Sequence, residues 1–148
     1  RDWFFSGVLL VIFIYDLRWG IILDQVSLPS IVAALSINLL LGAPWLGLIL
    51  AAALGASFFG LQYAVSRGKW IGGGDIRLGA LMGVMLGWPS ILVGLFLAYI
   101  LGSLAAVPLL ISKTKKMKSA IPLGPFLAIG TFIALLWGPQ IMNWYLGL

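Results

Sequence analysis

The sequence predicts an all-α, polytopic membrane helix bundle with about six transmembrane helices, forming a single domain over residues 1–148. Two observations carry this. The 148 residues are 62% hydrophobic and 9% charged, with a mean hydropathy of +1.13, whereas a soluble domain is about half apolar and about a quarter charged. The apolar residues also form continuous runs rather than alternating, and lipid requires a spanning backbone to satisfy its own hydrogen bonds, which selects helices.

A spanning helix needs roughly 20 apolar residues, fewer beside a polar cavity or a thinned bilayer. Six runs serve: 3–15, 28–41, 45–65, 76–86, 90–111 and 123–145. The first, second and fourth are short. Pro29 falls in the expected first turn of the second helix, where a missing N–H is tolerated. Pro44 and Pro89 mark tight turns. Gly55 and Gly60, with residues 51–53 all alanine, offer a small face for helix packing. Residues 3–15 lack the basic region and small-residue cleavage site of a secretory signal.

The charges orient the bundle. Alternating spans put Arg18, Arg67, Lys69, Arg77, Lys113, Lys115, Lys116 and Lys118 on one side, leaving Arg1 alone on the other. By the positive-inside rule the basic side is cytoplasmic, which makes this an inner-membrane protein with its charged face toward the cytoplasm. The net charge of +5 therefore reports topology and anionic-lipid contact, and no nucleic-acid partner is expected. Trp19, Trp45, Trp70, Trp88, Trp137 and Trp144 are expected near span ends, as an interfacial belt.

The chain has no cysteine and no histidine. This excludes disulfides, thiol nucleophiles, the Ser-His-Asp triad and the commonest metal ligands. Its four acids are all aspartate: Asp2, Asp16, Asp24 and Asp75. Asp16 ends the first span and Asp75 precedes the fourth, so two acids from different helices can share one depth at the cytoplasmic side. A charged Asp at a helix centre costs about 2.5–3.5 kcal/mol on insertion scales, which makes such acids functional candidates. Alternatively, Asp16 pairs with Arg18 and Asp24 is solvated in a loop. Before Asp75 stand Gly72, Gly73 and Gly74, which permit unusual backbone angles and close approach of another chain. The plainer alternative is that these glycines break a helix and Asp75 is its N-cap. The run from Ile121 and Pro122 through Leu123, Gly124 and Pro125 to Phe126 either starts the sixth helix or shapes a gap where substrate enters.

Together these segments resemble the type IV prepilin peptidases, a family of GxGD intramembrane aspartyl proteases. Residues 72–75 resemble the GxGD element. The segment from Asp16 to Asp24, followed by Leu28 and Pro29, resembles the family's first-aspartate segment, and residues 121–126 its late Pro-Gly-Pro element. The resemblance implies Asp16 and Asp75 as the catalytic pair, with Gly72, Gly74, Asp24 and Arg77 in support. It implies a prepilin, pseudopilin or flagellin-like substrate in the lipid bilayer, whose basic leader is cut after glycine at the cytoplasmic edge. Leu23 stands where the family usually has Pro, and Arg77 where it usually has Lys. Many bacterial members carry an N-terminal part with a Cys-rich loop that methylates the new N-terminus. No such part is expected in residues 1–148, nor is methyltransferase activity.

The chemistry follows from the acids. Two neighbouring carboxyls cannot both ionise cheaply, so one stays protonated. The ionised one takes a proton from water as it attacks the peptide carbonyl, and the other polarises that carbonyl and helps protonate the leaving amine. No cofactor or metal is needed. The alternative class is a small ion- or proton-coupled transporter or channel subunit using the same aspartates. Against it, both acids sit at one face and no inverted repeat is visible.

Overall fold

The computed structural model describes residues 1–112 and 122–147, so the lysine run at 113–118 and Ile121 lie outside the described residues. The described residues form six helices and no strand: α1 (Asp2–Trp19), α2 (Asp24–Leu40), α3 (Trp45–Ser66), α4 (Gly73–Leu86), α5 (Ser90–Ile111) and α6 (Gly124–Leu146). By length and composition α3, α5 and α6 can each cross a membrane, and α2 is a shorter apolar helix. The helices are apolar nearly all round, as expected where the outer face meets lipid. Phe4, Leu10, Ile14, Leu50, Leu61, Phe96 and Leu104 are all exposed. The fold is a membrane helix bundle.

Short α4 is the centre of the bundle. Leu78, Leu81, Met82, Val84 and Met85 are buried, and α4 packs against α2, α3, α5 and α6. Its closest partner is α3, because both backbones are bare where they cross. A Cβ on Gly55 would fall on the Gly79 carbonyl, and one on Gly83 on the backbone of Ala51 and Ala52. Adding such atoms to a filled interface costs about 1–3 kcal/mol. The expected small face is thus used at Gly55 and Ala51, whereas Gly60 faces open space. Gly130 of α6 meets the Gly94 carbonyl of α5 in the same way. At the far end Asn38 of α2 donates its Nδ2 hydrogens to the carbonyls of Val84 at 2.6 Å and Met85 at 3.4 Å. It thereby serves carbonyls that a helix end leaves unpaired.

The structure amends several boundaries. The second helix starts at Asp24 rather than near Leu28, so Asp24 lies in its first turn and Pro29 is interior to it. Its polar N-terminal residues carry no hydrophobic signal yet still complete the helix. Trp137 lies inside α6 rather than at its end. Arg1 shares a small cavity with Ala43, Pro44 and Trp88, which places it at the end of the bundle bearing the uncharged turns.

Candidate active site

Asp16 is brought inward by the register of α1. Its buried face runs Phe5, Leu9, Ile12, Asp16, the three- and four-residue spacing of one helical stripe. The apolar part of the stripe anchors in the core and carries the carboxyl toward the end of the bundle opposite Arg1. Gly20, at φ 64°, ends the helix by donating its N–H to the Asp16 carbonyl at 2.8 Å. Arg18 does not pair with Asp16. Its guanidinium lies 5.0 Å from the centre of the Trp19 ring.

Asp75 is set by α4. The N-cap is Gly72 in extended conformation (φ −83°, ψ 161°), and Asp75 is the third helical residue rather than the cap. Its carboxylate accepts the Gly72 N–H at 3.0 Å, satisfying one orphan donor of the helix start. None of residues 72–74 has positive φ, so unusual backbone angles do not explain these glycines. Space explains Gly74, where a Cβ would sit 2.9 Å from the Ile22 Cβ in the loop between α1 and α2. The loop before α4 is ordered by Gly68, whose N–H donates to the Tyr63 carbonyl at 2.9 Å. It is also held by the Ser66 hydroxyl, which accepts the Trp70 N–H at 3.3 Å.

Asp16 and Asp75 line one cavity of about 230 Å³, and each acid is itself nearly buried, at 5% and 8% exposed. Gly72, Gly74, Ile22, Lys69, Trp70 and Leu123 also line it. The space is several times the roughly 30 Å³ one water occupies in the liquid. Two carboxyls facing such a space can hold a water and a peptide unit between them. Among the described residues no third ligating side chain joins them as a metal site.

Asp24 and Arg77 do not line this cavity. They form an ion pair with each other on the outer surface, with side chains 50% and 42% exposed respectively. The pair ties the start of α2 to α4 and touches neither acid in the cavity.

One contact was not legible in the sequence. The Asp16 carboxylate lies against Gly124, the first residue of α6. A Cβ on residue 124 would overlap the carboxylate. The sequence signal was present in Gly124 between Leu123 and Pro125, but a glycine at a helix start has many other causes.

Known proteins sharpen the reading of this cavity. The model of the type IV leader peptidase family matches residues 3–107, the stretch that holds Asp16 and Asp75. A prepilin leader peptidase/N-methyltransferase of Aeromonas hydrophila is 33% identical over 146 residues, covering 95% of this chain and 50% of that protein. Its counterpart in Bacillus subtilis is 28% identical over 145 residues, covering 96% and 57%. One from Legionella pneumophila is 38% identical over 90 residues, covering 61% and 31%. The chain spans about half the length of the Aeromonas and Bacillus relatives. No solved structure matches it. The match takes in the whole of α1 to α4 apart from Asp2, and with them both acids of the cavity: the chain belongs to the type IV leader peptidase family.

Proposed function

We propose that this chain is a membrane aspartic-type endopeptidase that removes the basic leader of type IV prepilin-like proteins, with Asp16 and Asp75 as its catalytic pair. The observation that carries this is the convergence of two nearly buried acids, from separate helices, on one cavity. Family membership and the names of the relatives support a prepilin-like substrate; a pseudopilin or flagellin-like protein belongs to the same proposal. Residues 1–148 act as one peptidase unit, since a single core draws on all six helices.

In the reaction one carboxylate accepts a proton from water while the water oxygen bonds to the scissile carbonyl carbon. The other, protonated, carboxyl hydrogen-bonds the carbonyl oxygen and gives up its proton as charge develops there. The tetrahedral adduct collapses by breaking the C–N bond: the amine nitrogen takes a proton from the first acid, one hydroxyl of the adduct returns its proton to the second, and a new carboxyl and a new N-terminus leave. Close packing of Gly124 positions the Asp16 carboxylate, and the Gly72 N–H orients Asp75. Arg18, Arg67, Lys69 and Arg77 near the cavity end support a cytoplasmic, inner-membrane placement of the site.

The test is to incubate the purified chain, in lipid vesicles, with a prepilin-like protein and to follow the products by mass spectrometry. A single cut after the leader glycine is expected. An intact substrate beside a folded chain would overturn the reading.

A further inference from the structure

The catalytic cavity has a neighbour. A second, mainly apolar space of about 220 Å³ lies between α5 and the start of α6. Pro122 and Leu123 line both spaces, so this short segment is the wall between them. On the α5 side the lining includes Tyr99, Gly102 and Ala106. Gly102 and Ala106 are four residues apart, one turn, so they share a face of α5 with almost no side chain. A Cβ at Gly102 would reach only ordinary contact with Phe126 and Leu123, at 3.7 and 3.8 Å, so the groove is open rather than collapsed.

Among the described residues none occupies the groove. No residue of α5 beyond Ala98 is buried. Yet α5 continues from Gly102, opposite Leu123 and Phe126, to Ile111, a further stretch of about 13 Å at roughly 1.5 Å per residue. A wall of this length, apolar and flanked by the catalytic cavity, suits a second helix lying alongside it. Small residues let two backbones approach closely in lipid, where packing rather than hydrophobicity drives association. A helix is required, because an extended apolar strand exposed to lipid would leave its backbone unpaired.

We propose that the groove between α5 and the start of α6 holds the apolar helical segment of the peptidase substrate, while the adjoining scissile bond reaches Asp16 and Asp75 past Pro122 and Leu123. This rests on the peptidase reading above and adds where the uncut chain lies. The larger groove between α1 and α6, lined by Leu10, Phe13 and Ile129, shares no residue with the catalytic cavity. That separation makes it the control surface.

The chain has no cysteine, so single thiols can be placed cleanly. The probe is a synthetic peptide with a basic leader, a glycine and an apolar helix of about 20 residues, sized to span. It carries one cysteine in the first turn of the helix. It is incorporated in vesicles with Ser103→Cys or Ile129→Cys, each in an Asp75→Asn background, under a mild thiol oxidant. Ser103 lines the proposed groove and Ile129 the control groove. Held side by side, the two thiols should react at high effective concentration, giving roughly ten-fold more adduct at Ser103→Cys than at Ile129→Cys. Cleavage of the same peptide is measured in parallel with Asp75 intact. Cleavage without preferential adduct at Ser103→Cys overturns the groove and leaves the peptidase reading standing. Preferential adduct without cleavage supports the groove as a binding site and overturns the peptidase reading. Neither cleavage nor adduct overturns both.

Discussion

Gly124 lies directly against the carboxylate of Asp16, so close that its Cα leaves no room for a side chain. The start of α6 is therefore a third structural part of the site, beside α1 and α4. The positive end of a helix is a favourable place for a carboxylate, and here it fixes where the carboxylate points.

Replacing Gly124 by Ala should separate positioning from folding. The added methyl overlaps the Asp16 carboxylate and must push it aside, and a displacement near 1 Å can cost about 100-fold in rate. The expected outcome is a kcat lowered by about that factor with a much smaller change in KM. Steady-state kinetics and a thermal melt on the same purified variant check this. An unchanged kcat would show that Asp16 does not need the position seen here.

Gly74 should behave differently. Its added Cβ meets Ile22, 2.9 Å away in a neighbouring loop, so Gly74→Ala should cost stability as well as activity, about 1–3 kcal/mol for overpacking. Trimming the neighbour back past its Cβ should relieve it, so Gly74→Ala with Ile22→Gly should recover much of the lost activity. The comparison of melting temperature and turnover across the cycle decides this. No recovery would mean that Gly74 matters for a reason other than space.

The Asp24–Arg77 pair is exposed, and such pairs contribute about 0–1 kcal/mol. Asp24→Ala and Arg77→Ala should each lower stability by less than about 1 kcal/mol, and the double variant by no more than the sum. Turnover should stay within roughly three-fold of the parent. Exchanging the two charges should restore the pair. A complete loss of cleavage in folded Asp24→Ala would place Asp24 in the chemistry itself.

The architecture was legible because hydrophobic runs report lipid contact directly. The run at 90–111 coincides with α5, and that at 45–65 ends one residue short of α3. The start of α2 was not legible, since Asp24, Gln25 and Ser27 complete a helix without adding to an apolar run. The two acids stood out because they interrupt or border such runs. Their supports did not, because these depend on pairing between distant segments. Gly124 meets Asp16 across 108 residues, and Asp24 meets Arg77 across 53 residues; no local spacing encodes either contact. Residues 72–74 misled in another way, since none of them has positive φ and only Gly74 answers crowding, by Ile22.

Topology can be read by thiol labelling. Lys69→Cys and Ser112→Cys should react with a membrane-impermeant maleimide from the cytoplasmic side, and Trp88→Cys from the opposite side. The charge asymmetry and the shared end of Arg1 with Trp88 motivate this. Labelling of Lys69→Cys from the outer side would invert the bundle.

The central claim is that Asp16 and Asp75 together perform the cleavage. The most direct measurement is cleavage of a prepilin-like protein by purified Asp16→Ala and Asp75→Ala, each checked for folding by circular dichroism and a thermal melt. With either acid gone, the remaining carboxyl cannot both take the proton from water and donate to the carbonyl oxygen. The account predicts that both variants fold and insert like the parent while cleavage falls below detection. Turnover retained by either folded variant would contradict it.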